Sequence, residues 1–375
     1  MIKVLHIITG LFHGGAERTL VNIATRLQGR IRSEVIVLTG VGPRGKQLRD
    51  AGVDFISLGM SGGPLALLEL ARLARLIADR RPDIVQTWMY HSDLLGGIAA
   101  RMANVGAIVW NIRNGSLSWS LNKATTLLAA SLCARLSHFV PQRIVCCSER
   151  SRDIHARRGY AREKLILIPN GIDIAEFYPD KAAGAALRER WGLAPQDILI
   201  GRIGRLDPMK DYPTFLNAAA EFKKRFPNAR FLCMGVEQET KKRDLQALAL
   251  RLDLNRNLIF SGEGQEMRDV YNALTLLTSS SSGGEAFPNV VAEAMACCVP
   301  CVVTDVGDSA LIVQDTGRVV RPRDPERMAQ ACCSLIEIGE AERRRLGRLG
   351  RARIEECFSI ARAVDRYEAL YEEVI

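Results

Sequence analysis

Short apolar runs and amphipathic stretches alternate along the whole chain. Val4–Thr9, Glu34–Thr39, Asp83–Trp88, Ala107–Ile112, Arg143–Cys147 and Leu165–Ile168 are rich in Val, Ile and Leu, which predicts buried strands. Between them, Ala16–Leu27 sets Leu20, Ile23, Ala24 and Leu27 on one helical face, and Leu65–Ala78 is a Leu-rich helix. Apolar strands separated by helices predict a parallel sheet covered on both faces. The pattern then restarts. Ile198–Arg205, Arg230–Met234, Asn257–Ser261, Leu274–Ser279 and Cys301–Thr304 are strand candidates, separated by helices starting at Tyr212, Lys241, Glu266, Asn289 and Pro325.

Two α/β units of similar size follow from this restart, joined after Pro169-Asn170-Gly171 by the Asp-, Ala- and Pro-rich stretch Ile172–Gln196. The halves share this architecture but no sequence repeat. At the end of the chain, Ile360, Val364, Tyr367, Tyr371 and Val374 fall on one helical face, which needs an apolar surface to lie on. In open parallel sheets ligands bind beyond the carboxyl ends of the strands. Two such domains facing each other would form a cleft lined by strand-end loops from both, so those loops are where chemistry is sought.

Composition agrees with this reading. The 375 residues favour two domains over one, and 47% hydrophobic with 25% charged residues is the mix of a soluble globular protein. No stretch approaches the roughly 18 apolar residues that cross a bilayer. The N-terminal MIKVLHIITGLFHGG weakly imitates a signal peptide, but a Gly-Gly turn and a charged helix follow at once, so a first strand is expected. Six of the ten cysteines are adjacent pairs, Cys146-Cys147, Cys297-Cys298 and Cys332-Cys333, which suits small apolar residues in a reducing cytoplasm. Cys298 and Cys301 make a C-x-x-C without further metal ligands nearby, and a structural role is expected. Charge is uneven: residues 1–175 carry 23 Lys/Arg against 12 Asp/Glu, while residues 176–375 carry 28 against 30. A basic first half suits an anionic partner, whether a membrane surface, a phosphorylated substrate or nucleic acid.

Four segments carry candidate chemistry. In Ser279–Pro300, SSSSGGEAFPNVVAEAMACCVP, a strand runs into a Gly-Gly turn, then Glu285, then a helix bearing Glu293. Pro288 suits the first helical turn, which leaves the N–H groups of Asn289, Val290 and Val291 directed at an anion such as phosphate. Asn289 and Glu293, four apart, share a helix face; Glu293 could hold a ribose and Glu285 a sugar ring, because carboxylates accept hydrogen bonds from paired hydroxyls. In Gly204–Lys210, Arg205 and Lys210 leave a strand end on one loop and suit a departing diphosphate. Gly14-Gly15-Ala16-Glu17-Arg18 lies between the first strand and first helix, where glycines let backbone approach a ligand; it lacks the full G-x-G-x-x-G spacing. Trp88–Asp93, containing His91, follows a strand of the first unit, and Asn111–Gly115 ends the next. No Asp-x-Asp metal clamp and no phosphate-loop motif occurs.

Ser279–Pro300 resembles the Glu-x7-Glu segment of retaining glycosyltransferases with two facing Rossmann-like domains (the GT-B fold), in particular glycosyltransferase family 4, the "group 1" enzymes of bacterial polysaccharide and glycolipid synthesis. Gly204–Lys210 is similar to that family's Gly-Arg…Lys diphosphate clamp, Gly14–Arg18 to its N-terminal glycine loop, and Ile168–Asp173, IPNGID, to its interdomain connection. The resemblance spans essentially the whole chain. It implies an acceptor-binding domain over 1–172, a nucleotide-sugar domain over 173–358, and a last helix over 359–375 that crosses back onto the first domain. It further implies that Glu285 holds donor-sugar hydroxyls, that the Phe287, Pro288, Asn289 and Val290 backbone approaches sugar and phosphate, and that Glu293 takes the ribose. Arg205 and Lys210 would take the diphosphate, Gly14 and Gly15 would lie near the donor, and His91 would sit by the reacting sugar. Ala286 and Cys298 both stand where the family usually has Gly.

The expected function is a cytoplasmic, metal-independent retaining glycosyltransferase that needs no cofactor beyond its UDP- or GDP-sugar substrate. Its acceptor would be a glycan or a polyprenyl- or lipid-linked saccharide in lipopolysaccharide or exopolysaccharide synthesis. With no nucleophile evident, front-face attack is expected, the leaving phosphate accepting the acceptor's proton. The basic stretch Arg143–Lys164, preceded by Trp119 and Leu127–Leu136, points to peripheral attachment at the anionic inner face of a membrane. The rival readings are a UDP-sugar 2-epimerase of the same architecture and a nucleic-acid binder; no basic motif interleaved with aromatics supports the latter.

Overall fold

The computed structural model describes residues 1–12, 14–27, 29–60, 66–119, 122–235, 239–262 and 265–375. The chain divides into two compact units, Met1–Gly171 together with Ile360–Ile375, and Ile172–Ser359.

In the first unit, strands β1 (Ile2–Ile8), β2 (Ile31–Val37), β3 (Asp54–Ser57), β4 (Ile84–Trp88), β5 (Ala107–Ile112), β6 (Arg143–Cys146) and β7 (Leu165–Leu167) form one parallel sheet in the order β3-β2-β1-β4-β5-β6-β7. Helices α1 (Gly15–Arg26), α2 (Arg44–Asp50), α3 (Ala66–Arg80), α4 (Tyr90–Met102), α5 (Ala124–Leu136) and α6 (Glu149–Arg157) connect them. Strand β1 explains why the sheet is covered twice: Val4 and Ile8 enter one apolar cluster, Leu5 and Ile7 the other. The alternation of the pleat thus feeds two cores from one continuous apolar run. Leu65, expected as the start of the Leu-rich helix, lies outside the described residues.

The second unit repeats the winding with β8 (Leu199–Ile203), β9 (Arg230–Met234), β10 (Leu258–Ser261), β11 (Leu276–Ser279), β12 (Cys301–Thr304) and β13 (Arg318–Val320), parallel in the order β10-β9-β8-β11-β12-β13. Its helices are α7 (Lys181–Arg190), α8 (Tyr212–Arg225), α9 (Glu239–Arg251), α10 (Met267–Ala273), α11 (Asn289–Ala296), α12 (Ser309–Val313), α13 (Pro325–Glu337) and α14 (Gly339–Cys357). In each sheet the winding direction reverses once, between β1 and β4 and between β8 and β11, and ligands of such folds bind at the carboxyl ends beside that reversal.

The last helix, α15 (Ile360–Val374), belongs to the first unit. Its Ile360, Ala363, Tyr367, Leu370, Tyr371 and Val374 are buried in the cluster that contains Val4, Ile8 and Trp88. Tyr367 accepts hydrogen bonds from Asn111 Nδ2 and from the Arg113 guanidinium, both at 2.7 Å. Arg113 also stacks over the Trp88 ring, 4.9 Å from its centroid, and donates to Asn170 Oδ1. Gly171 lets the helix approach, since a Cβ there would lie 2.6 Å from Ile360 Cα.

Elements the sequence pattern did not single out are the edge strands β3 and β13 and helices such as α2, α12 and the Arg-rich α14. The expected strand Ile198–Arg205 stops at Ile203, because Gly204 (φ 149°) turns the chain out of the ladder. Arg205 therefore stands on the loop rather than in the strand. Cys298 has a left-handed φ of 61°. Its N–H bonds Met295 O and that of Val299 bonds Ala294 O, a Schellman ending of α11 that a glycine would satisfy without strain. No cysteine is bridged, and those of the C-x-x-C include a fully buried Cys301.

Two buried imidazoles contribute to the acid response of the first unit. Burial lowers His6 to about 3, its Nδ1 accepting from Trp88 Nε1 at 3.3 Å. Burial likewise lowers His155 to about 4. His155 Nε2 pairs with the Tyr90 hydroxyl at 2.6 Å, and its Nδ1 with Ser151 O at 2.7 Å. Both rings are neutral when folded and take a proton near pH 6.5 when unfolded, so the stability they contribute is complete above pH 6.5 and is lost as pH falls towards 4. Urea titrations at stepped pH should show each ring contributing a loss of up to about 1.4 kcal/mol per pH unit over that window, opposed by the buried Asp93 carboxyl, which burial raises and which therefore gains stability as pH falls. His155→Gln, which can keep both hydrogen bonds, should remove its share of the slope; an unchanged slope would exclude His155 as its source.

Candidate active site

A cluster of polar side chains in the second unit stands at the carboxyl ends of β8 and β11, beside the reversal of its sheet. Its centre is Arg202, a fully buried guanidinium on β8. Arg202 Nε donates to Ser280 Oγ at 3.0 Å, and its two terminal nitrogens donate to Ile203 O and Lys210 O, each at 2.7 Å. A longer contact of 3.4 Å reaches Ser281 Oγ, and the guanidinium lies 5.1 Å from the Tyr212 ring centroid. One side chain thereby fastens the loop after β8 to the loop after β11.

The loop after β8 is shaped by its own side chains. Asp207 Oδ1 accepts from Met209 N at 2.9 Å, closing a short turn over Pro208–Lys210. Asp211, at a left-handed φ of 48°, caps α8 by accepting from Thr214 N and Thr214 Oγ1. Ser280 Oγ bonds the Lys210 and Asp211 carbonyls at 3.0 and 2.9 Å. The Tyr212 hydroxyl meets the Gly204 and Met234 carbonyls at 2.5 and 2.7 Å. The result aims Lys210 at Glu285: Nζ and Oε1 are 2.5 Å apart, with side chains 24% and 11% exposed. Ser281 Oγ donates to the same oxygen at 2.8 Å. Burial by itself would raise the Glu285 carboxyl, but Lys210, Ser281 and the Arg202 charge together hold it below its ordinary range. Glu285 is therefore an anion at neutral pH. Arg205 lies exposed on the same loop; its carbonyl accepts from Asp207 N at 2.9 Å, and its guanidinium makes no hydrogen bond or ion pair among the described residues.

Glu285 is held from behind by Gly284 (φ 74°), where a Cβ would meet Met209 Sδ at 2.2 Å, and by Gly307 (φ 60°), where one would meet the Ala286 and Glu285 carbonyl oxygens at 2.5 and 2.7 Å. The backbone at Ala286 has no positive φ, so an alanine is accommodated where the family usually has glycine. Phe287 packs edge-on to Phe358 at 5.5 Å. Pro288 is the N-cap of α11 rather than a residue of its first turn. Its carbonyl accepts from Val291 N at 3.0 Å, so Val291 N–H is not free for an anion as the sequence suggested. Along α11, Glu293 is buried and accepts from the Tyr271 hydroxyl of α10 at 2.7 Å.

The remaining sequence candidates belong to the first unit. Gly14 is the N-cap of α1 and Gly15 its first residue. His91 is the second residue of α4, half-buried, and its imidazole is lowered by burial. Met89 before it holds an unusual φ of 74° and donates its N–H to Asn111 O at 2.9 Å. Among the described residues no three His, Cys, Asp or Glu side chains gather as a metal site. The sequence reading missed Arg202, Ser280, Ser281 and Tyr271. Arg202 had a visible signal, a cation inside an apolar strand; the serines and Tyr271 had none.

Two family models match in succession: one described as Glycosyltransferase Family 4 over residues 13–176, the other as Glycosyl transferases group 1 over 197–337. The chain belongs to this family of glycosyltransferases, and its fold is GT-B. Among curated relatives it is 22% identical to the UDP-Gal:alpha-D-GlcNAc-diphosphoundecaprenol alpha-1,3-galactosyltransferase of Escherichia coli over 312 residues, 82% of this chain and 79% of that one. It is 31% identical to the D-inositol 3-phosphate glycosyltransferase of Segniliparus rotundus over 207 residues, 53% of this chain and 44% of that one. Among solved structures, Anabaena HepE in complex with UDP-glucose superposes with a TM-score of 0.87 at 20% identity, covering all of both chains.

Gly307→Ala tests how tightly the Glu285 loop is held. The new methyl group would press on the Glu285 and Ala286 carbonyls at a left-handed position, so sugar transfer should fall at least about tenfold while far-UV circular dichroism stays unchanged. Full activity in this variant would mean the loop can shift without harm.

Proposed function

We propose that the chain is a retaining, metal-independent glycosyltransferase that moves a sugar from a UDP- or GDP-sugar to a glycan or polyprenyl-linked acceptor in polysaccharide or glycolipid synthesis. The observation that carries this reading is the Arg202–Lys210–Glu285 cluster at the sheet reversal of the second unit. Two cations and one carboxylate leave a surplus positive charge there, suited to a diphosphate whose charge grows as the glycosidic bond breaks. Lys210 and Arg205 take the diphosphate, Glu285 takes hydroxyls of the sugar, and Glu293 takes the ribose with Tyr271 holding its carboxylate in place. The backbone from Phe287 to Val290 lies along sugar and phosphate. The acceptor binds the first unit; a neutral His91 at the start of α4 can accept a hydrogen bond from a sugar hydroxyl. With the leaving phosphate positioned by cations, it can take the acceptor's proton as the new bond forms on the same face. The donor and the undecaprenol-linked acceptor in the name of the Escherichia coli relative, and the UDP-glucose bound to HepE, support this choice of substrates.

A panel of radiolabelled UDP- and GDP-sugars, offered with polyprenyl-diphosphate saccharides, tests the reading. Transfer with retained anomeric configuration is expected, undiminished by excess EDTA. Glu285→Gln and Lys210→Ala should each lower turnover at least about a hundredfold, the effect of losing one preorganised electrostatic contact of ~2.7–4 kcal/mol. Inversion at the anomeric carbon, or EDTA inhibition rescued by Mg²⁺, would refute the corresponding part. Conversion of the donor sugar without an acceptor would favour the epimerase instead.

We further propose a peripheral site at the inner face of an anionic membrane. The support is an exposed apolar surface in the basic first unit: Trp119 is 71%, Leu128 62% and Phe139 77% exposed. Leu128 and Leu132 share the outer face of α5, while Leu127, Ala130, Cys133 and Ala134 are buried on its inner face. Arg135 and Arg158 flank this surface. No helix among the described residues is long and apolar enough to cross a membrane. Vesicles of anionic lipid should co-sediment the chain at low salt and release it as salt screens the contacts. Leu128→Glu combined with Leu132→Glu should reduce binding several-fold; equal binding to neutral vesicles would remove the electrostatic part of the proposal.

A further inference from the structure

The direct contact of Lys210 with Glu285 constrains how a donor can bind. Both side chains are largely withdrawn from water, and they meet at 2.5 Å. A cation already neutralised by a desolvated carboxylate cannot be given to a diphosphate without loss, because removing one partner strands the other. The hydrogen bonds of Glu285 converge on one atom, Oε1, which accepts from both Lys210 Nζ and Ser281 Oγ. No donor among the described residues reaches Oε2.

We infer that Lys210 and Glu285 each hold the place of one half of the donor, and that they exchange partners together when the donor binds. This rests on the donor reading above. Lys210 swings from Glu285 to the diphosphate. The carboxylate then accepts from sugar hydroxyls, on Oε2 and on the part of Oε1 that Lys210 vacates, as charge-assisted hydrogen bonds. A complete nucleotide sugar replaces both halves of the pair. A bare nucleoside diphosphate replaces only one, leaving Glu285 with Ser281 and the more distant Arg202 charge. The site therefore discriminates against its own spent product, and Glu285 is the residue that sets the difference. Arg202 stays in place throughout, because its hydrogen bonds run to Ser280 and to the Ile203 and Lys210 carbonyls rather than to the Lys210 ammonium.

The consequence has an unusual sign. Glu285→Gln removes the competitor for Lys210, so this variant should bind UDP more tightly than the unsubstituted chain even though its sugar transfer falls. A residue that only supported the loop would weaken UDP binding when replaced. Isothermal titration of the full chain with UDP, and with GDP in parallel, at one fixed salt concentration reads the effect. Glu285→Gln should tighten binding about tenfold, the scale of a close and largely desolvated charge pair. Lys210→Met should weaken it about tenfold or more, and Lys210→Met with Glu285→Gln should bind no more tightly than Lys210→Met alone. UDP affinity that is unchanged or weaker in Glu285→Gln overturns the exchange. So does a gain that persists without Lys210, since it would then be a general effect of one less negative charge. Should Glu285→Gln fail to give a cooperative melt, Glu285→Asp, which keeps the charge but draws it back by one methylene, should show a smaller gain of the same sign, and no gain overturns the exchange equally. Failure of the unsubstituted chain to bind either nucleotide is a different outcome: it overturns the donor reading itself.

Discussion

The candidate site depends on one buried guanidinium. Arg202 is an ionised group inside the second unit, and such a charge is tolerable only where its donors find acceptors and a counter-charge lies near. Those acceptors are the Ser280 hydroxyl and the carbonyls of Ile203 and Lys210, with Ser281 somewhat further away. Satisfying them forces the loop after β8 and the loop after β11 into one arrangement. A counter-charge is supplied by Glu285, joined to Arg202 through Ser281. Chemistry that needs a cation and a carboxylate side by side thus follows from the need to satisfy a third, hidden charge.

The backbone shares in this. Gly204, Gly235, Gly284 and Gly307 all have positive φ, and at Gly235 a Cβ would sit 2.5 Å from the Gly204 carbonyl. These are the places where strand-end loops come closer than side chains permit. In the first unit a comparable convergence surrounds Arg113, which touches Trp88, Asn170 and Tyr367. Here the result is anchoring: α15 and the last residues before the chain leaves this unit are tied to the end of β5.

Charge and apolar surface are distributed to different ends. The second unit is nearly balanced overall and concentrates its useful charge in one small cluster. The first spreads a surplus of cations over its surface, although several are already engaged: Arg143 pairs with Glu373, Arg152 with Glu149, and Lys164 with the Ser137 and His138 carbonyls. What remains for a membrane is smaller than the sequence count suggests, which makes the exposed Leu128, Leu132 and Phe139 the larger part of that argument.

Most of the architecture was legible in the amino-acid sequence. The central strands of both sheets are continuous apolar runs because they are buried on both faces, and β5, β9 and β12 coincide with the expected segments. The stripe of Ile360, Tyr367, Tyr371 and Val374 likewise announced an apolar partner. The edge strands β3 and β13 left little signal, since an edge strand is short and need not be apolar. Lys210 and Glu285 were legible as residue types on strand-end loops, but their direct contact across 75 positions was not, because local spacing carries no information about which loops meet. Arg202 shows the limit most clearly. Its sequence context is that of a buried strand, and only the tertiary structure decides whether a cation there is expelled, or, as here, surrounded by nearby carbonyls and by serines of a loop more than seventy residues away. Periodicity records which side of an element faces a core; it cannot record which polar groups the core must satisfy.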